Sequence, residues 1–118
     1  MMKITVMKFG GTSVANLNRI KSVAEIIKNR IDSGEKKILV TVSAMSGLTN
    51  KLIKEYQKIS NDINDPEYDV VLATGEQHSS GLLSRMLNKH KIKSRSLLGW
   101  QIPIITDLKH GKARINSI

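Results

Sequence analysis

The chain has 118 residues, enough for one hydrophobic core and at most one small domain, and its lack of cysteine excludes disulfides, thiolate metal sites and a cysteine nucleophile. No apolar run approaches the ~20 residues needed to cross a bilayer, and the N-terminus lacks the basic-then-apolar layout of a signal peptide, so a cytoplasmic protein with no membrane partner is expected. The formal charge of +9 is lopsided, with eight Lys or Arg residues from Arg85 onward against Asp107 as the only acid there.

The first element expected is a buried strand over residues 3–8. It leads into Val6-Met7-Lys8-Phe9-Gly10-Gly11-Thr12-Ser13-Val14, which reads as a strand feeding a tight loop that opens onto a helix. Adjacent glycines let a ligand approach the main chain closely, and the N–H groups at the start of the helix favour an anion. Lys8 adds a mobile positive charge at the strand's end. The arrangement suits phosphate, although it fits neither the G-x-x-x-x-G-K-[ST] loop nor the G-x-G-x-x-G fingerprint. The bland alternative is a plain turn beside a solvated lysine.

Leu17, Ile20, Ala24, Ile27 and Ile31 recur at helical spacing, with Asn16 or Ser13 as cap and Gly34 as stop. Ile38 to Val42 reads as a second buried strand, ending in the small-residue loop Ser43-Ala44-Met45-Ser46-Gly47. A helix follows with Leu48, Leu52, Tyr56 and Ile59 on one face and Lys51, Lys54 and Lys58 on another. This β-loop-α-β-loop-α order indicates an α/β fold with a parallel sheet, both loops opening at its carboxyl edge, where ligands bind in such folds. Residues 61–66 form a connection, and Tyr68 to Lys89 reads as helix, in two pieces if Gly75 breaks it and Thr74 caps the second. Residues 93–100 are a third strand candidate and 104–106 a fourth. His110-Gly111 reads as a turn, followed by a weakly alternating stretch from Ala113 to Ile118.

The hydroxyls of Ser43, Ser46 and Thr49 are suited to hold a carboxylate; the alternative is that Ser46 or Thr49 merely caps the helix. Glu76 is by itself more often a favourable helix-dipole partner than a ligand. His78, His90 and His110 show no metal-ligand spacing, and no protein-held metal is expected. Nucleic-acid binding rests on charge alone, because Phe9, Tyr56, Tyr68 and Trp100 are not interleaved with the basic residues as stacking platforms require.

The first loop resembles the K-F-G-G-T-S signature that opens aspartate kinases of the amino-acid kinase superfamily. Ser43-Ala44-Met45-Ser46-Gly47-Leu48-Thr49-Asn50 resembles that family's S-A-x-x-G-x-T-N segment, and Thr74-Gly75-Glu76-Gln77 its G-E motif. The segments 98–104 and 110–115 also look like the family, as scaffold and packing sequence, with Trp100 in a core or interface. The resemblance runs from Lys3 to the end and implies an incomplete α/β/α sandwich, with residues 1–118 as the N-terminal, aspartate-binding portion of a kinase domain. It implies ATP with Mg²⁺ as co-substrate and transfer of the γ-phosphoryl group to the side-chain carboxylate of L-aspartate, the step that opens lysine, threonine and methionine biosynthesis. Lys8 would be catalytic and, with Phe9, Gly10 and Gly11, would bind the phosphates. Ser43, Thr49 and Glu76 would hold aspartate, Glu76 as a buried carboxylate facing the α-amino group.

The family's second half of the kinase domain and its regulatory ACT domains are absent from this sequence. The isolated chain is therefore expected to be inactive and to self-associate or be marginally stable. The alternative is a non-catalytic remnant or interaction module that keeps the fold.

Overall fold

The structure is a computed structural model and describes residues 3–118. In chain order it contains β1 (Thr5–Phe9), α1 (Leu17–Asp32), β2 (Ile38–Val42), α2 (Leu48–Gln57), α3 (Pro66–Lys89), β3 (Ile105–Thr106) and β4 (Ile115–Ser117). β1 and β2 pair in parallel, from Thr5 against Ile38 to Phe9 against Val42. Both strands therefore release their loops at the same edge, as the α/β reading requires. β3 and β4 form a separate antiparallel hairpin.

α1 begins where the Asn16 side chain accepts the Arg19 N–H at 3.0 Å, so Asn16 rather than Ser13 is the cap. Its buried stripe is Ile20, Val23, Ala24 and Ile27. Leu17, expected on that face, is exposed. Cα–Cβ bonds tilt toward a helix's N-terminus, so the side chain of the first residue overhangs the helix end and finds no cover. The helix stops at Ser33, and the Gly34 N–H donates to the Ile31 carbonyl at 2.9 Å.

The core joins Val14 and the α1 stripe to Leu83 and Leu87 of α3, with Met7, Phe9, Ile38, Val40 and Val42 packed against it. These strand residues all lie on one face of the sheet. On the other face Val6 is 66 % and Leu39 50 % exposed. The two strands were expected to be buried outright; they are buried on one side only. Continuous apolar strands suit sheets covered on both faces, and here helices cover one. The α/β/α sandwich is thus present as a sheet and a single helical layer.

α2 turns Leu48 and Leu52 toward α3. Tyr56 is buried, stacks edge-on against Tyr68 with ring centroids 5.1 Å apart, and donates its hydroxyl to the Asp62 carbonyl at 3.0 Å. Ile59 lies past the helix end and is exposed, so it is not part of the apolar face.

α3 is one uninterrupted helix, not two. Asp65 caps it, accepting the Glu67 N–H at 2.9 Å, and Pro66 occupies the first turn. The Thr74 hydroxyl donates to the Val71 carbonyl at 2.7 Å, so it is spent inside the helix and caps nothing.

Residues 93–100 do not form a strand. Ser94, near the start of the segment, bonds to α3 instead: Asn88 accepts the Ser94 N–H at 3.1 Å and donates to the Ser94 carbonyl at 3.2 Å, while the Ser94 hydroxyl donates to the Ser84 carbonyl at 2.9 Å. With no described strand alongside, the alternation there has no pairing partner among the described residues. Trp100 is 71 % exposed and so is not in the core of this chain.

Candidate functional site

Three short segments meet at the carboxyl edge of the β1–β2 pair, and Ala44 sits between them. A Cβ placed on Gly11 would lie 3.0 Å from the Ala44 carbonyl oxygen, and one placed on Gly75 would lie 2.9 Å from the Ala44 Cβ. Neither distance leaves room for a side chain. The glycines at positions 11 and 75 thus allow the first loop, the second loop and α3 to come into main-chain contact around one buried methyl group.

The first loop is folded tightly, the Ser13 N–H donating to the Gly10 carbonyl at 3.0 Å. Its two glycines differ. Gly11 is backed by the second loop, whereas a Cβ on Gly10 would meet nothing within 4 Å. One side of the loop is therefore buttressed and the other is open to an approaching ligand. Beside it a cavity of about 120 Å³ is lined by Phe9, Ser13, Arg19, Ser22, Val23 and Ile26.

The second loop continues the ladder by one bond, Ser43 N–H to the Phe9 carbonyl at 3.2 Å. It then enters α2 through Gly47, whose φ of +80° a side chain would disfavour. No side chain caps α2. The hydroxyls of Ser46 and Thr49 are thus not consumed by the capping role that was their bland alternative. Ser43 and Thr49 are half-buried.

Glu76 follows Gly75 directly, which sets it one residue from the contact with Ala44. It was expected to be a buried carboxylate and is exposed. Among the described residues nothing covers the outer side of α3 at that turn. Lys8 is also exposed, on the open face of the sheet with Val6, because side chains alternate along β1. The ion pairs of the described residues are Lys28–Asp32 and Arg30–Glu35, with a His110–Asp69 hydrogen bond besides, and neither Lys8 nor Glu76 enters any of them. Among the described residues no group of three or more His, Cys, Asp or Glu side chains could hold a metal ion. No described helix is long and apolar enough to cross a membrane.

The site as folded offers main-chain N–H groups at a glycine loop, a free ammonium at the end of β1, two partly sheltered hydroxyls and an exposed carboxylate. Those are partners for a polyanion and for a small zwitterion. Sequence reasoning passed over Ala44 and Arg19. Ala44 looks like filler, and its role shows only once Gly11 and Gly75 are seen to close on it. A glycine inside an otherwise helical pattern was the available signal, since such a residue usually has a packing reason.

Comparison with known proteins bears on the family of the chain. The model of the amino acid kinase family matches residues 3–118. The chain is 45% identical over 120 residues to the aspartokinase of Rickettsia felis, an alignment that covers 99% of this chain and 30% of that protein. It is 43% identical over 117 residues to the aspartate kinase of Pseudomonas putida, covering 99% of this chain and 28% of that one. The crystal structure of an aspartate kinase from Synechocystis superposes with a TM-score of 0.69 at 44% sequence identity, over 74% of this chain and 15% of that chain. The chain thus spans less than a third of the length of these curated relatives. With a glycine loop at the end of β1, a parallel strand pair and a family match over every described residue, the chain belongs to the amino acid kinase family.

Proposed function

We propose that these residues are the part of an aspartate kinase that grips L-aspartate and the terminal phosphates of ATP. The reading is supported most by the meeting of the three motif-bearing segments at Ala44, together with relatives named aspartokinase or aspartate kinase. Lys8, with the N–H groups around Phe9, Gly10 and Gly11, would neutralise and orient the phosphates. The open side of Gly10 fits a nucleotide arriving there. Ser43 and Thr49 would hold aspartate's carboxylate and Glu76 its ammonium. A Mg²⁺ ion would arrive with ATP and neutralise phosphate charge, held mostly by phosphate oxygens and water.

In that reaction an oxygen of the side-chain carboxylate attacks the γ-phosphorus, the bond from that phosphorus to the bridging oxygen of ADP breaks, and 4-phospho-L-aspartate leaves. Phosphoryl transfer asks a protein chiefly for alignment and charge stabilisation. The chain's contribution is alignment at one end and a cation at the other. Turnover is expected only when the rest of such a kinase is supplied. The setting is cytoplasmic, at the head of lysine, threonine and methionine synthesis.

The test is an NMR titration of the chain with L-aspartate and, separately, with MgATP. L-aspartate should move the amides of Ser43, Thr49 and Glu76, and MgATP those of residues 8–13. Succinate, which lacks the amine, should bind roughly tenfold more weakly, a difference of about 1.4 kcal/mol that Glu76→Gln removes. Shifts scattered over the lysine-rich surface, or aspartate binding indifferent to Glu76→Gln, would favour a non-catalytic module.

A further inference from the structure

The β3–β4 hairpin is joined by residues 107–114, and that loop is pre-formed by Asp107. The Asp107 N–H donates to the Arg114 carbonyl at 3.0 Å, and its carboxylate accepts the N–H groups of Lys109 at 3.1 Å and Arg114 at 3.3 Å. Neither strand of the hairpin packs on another described element, and both are exposed. The loop, by contrast, is tied to the body at a defined place. One carboxylate oxygen of Asp69, in the first turn of α3, bonds His110 Nδ1 at 2.8 Å, and the other accepts the Gly111 N–H at 2.9 Å. Gly111 has φ +68°, and a Cβ there would lie 2.5 Å from the Ile63 carbonyl oxygen. Only glycine fits, on grounds of both conformation and space.

Asp69 therefore has both oxygens committed to a segment some forty residues away, which an acid serving only the helix dipole would not. Its position matters for the site. Asp69 and Glu76 are seven residues apart, two helical turns, so they share one face of α3 about 10 Å apart along the axis. We propose that Asp69 is a positioning residue: with His110 and Gly111 it forms a clasp that seats the 107–114 loop on the α3 face carrying Glu76 and fixes that face for the substrate's ammonium. The part of this that concerns the ammonium rests on the proposed function; the clasp itself does not.

The test uses two variants that open the clasp from opposite sides, Asp69→Ala on the helix and Gly111→Ala on the loop, with Asp69→Asn as the conservative change that keeps an acceptor for the Gly111 N–H. Amide hydrogen exchange over residues 105–117 reports the clasp. Exchange there should rise about tenfold or more in each single Ala variant, rise no further in the double variant, and be partly restored by Asn. The amide shift of Glu76 should move in both, and the chain's Kd for L-aspartate should weaken several-fold. Unchanged exchange in Gly111→Ala, which leaves α3 itself untouched, overturns the clasp even if Asp69→Ala fails to fold. Raised exchange with an unmoved Glu76 amide overturns the positioning role. Raised exchange and a moved Glu76 amide, with no aspartate binding in the unmodified chain, upholds the clasp and rejects the proposed substrate instead.

Discussion

Replacing Gly75 by Ala sets two effects against each other. Inside a helix Ala is favoured over Gly by about 1 kcal/mol. At this position the added Cβ would stand 2.9 Å from the Cβ of Ala44, an atom fixed to the main chain and unable to swing aside. Overpacking of a filled site costs about 1–3 kcal/mol, so the net change expected is a loss of roughly 1 kcal/mol. Gly81, in the same helix, meets nothing within 4 Å, and there Ala should stabilise by about 0.5–1 kcal/mol. Urea unfolding midpoints of the two variants at unchanged m-value check the opposite signs. At this scale the sequence was informative about the turn after β1, where Gly10 and Gly11 directly follow the apolar strand. It was silent on Ala44, because a small apolar residue carries no mark of what closes upon it. The exposure of Glu76 was not legible either, since burial depends on what else is present around α3.

Among the elements, the Tyr56–Tyr68 contact ties α2 to the start of α3. Loss of the hydroxyl in Tyr56→Phe should lower the urea midpoint, because the bond to the Asp62 carbonyl goes with it. Burial is the main reason the Tyr56 phenol is raised above its ordinary value of 10.0, with the nearby Asp62 and Asp65 acting in the same direction. The sign follows directly. The folded state prefers the neutral phenol, so its contribution is fully present below about pH 10 and is lost as pH rises through the raised folded value. Stability measured from pH 9 upward should therefore fall more steeply in the parent chain than in Tyr56→Phe. α1, β1, β2 and α2 were readable because their apolar spacing and punctuating residues agree. The expected strand at 93–100 failed for a reason spacing does not reveal: Ser84 and Asn88 of α3 take the Ser94 backbone and hydroxyl bonds. The expected break at Gly75 failed because the glycine serves packing.

For the whole molecule the prominent feature is a sheet covered on one side. Ile4, Val6 and Leu39 present apolar surface to solvent, and exposed apolar patches of this kind promote association. Val6→Thr and Leu39→Thr keep β-branched or strand-compatible side chains while removing that surface. Together they should leave the thermal midpoint nearly unchanged and abolish any concentration-dependent association seen for the parent chain by sedimentation velocity. The fold class was legible because β-loop-α order dictates a parallel pair. The apolar runs read the same with one cover or two, so the uncovered face followed only from the resemblance, which implied an unfinished sheet. The most direct measurement of the proposed function replaces the segment of the Rickettsia felis aspartokinase that aligns with this chain by the chain itself. ATP-dependent formation of 4-phospho-L-aspartate, trapped with hydroxylamine, is then assayed. The expected result is turnover by the hybrid that Lys8→Ala reduces by about 10²-fold or more; a soluble, folded hybrid with no turnover, or one indifferent to Lys8→Ala, would contradict it.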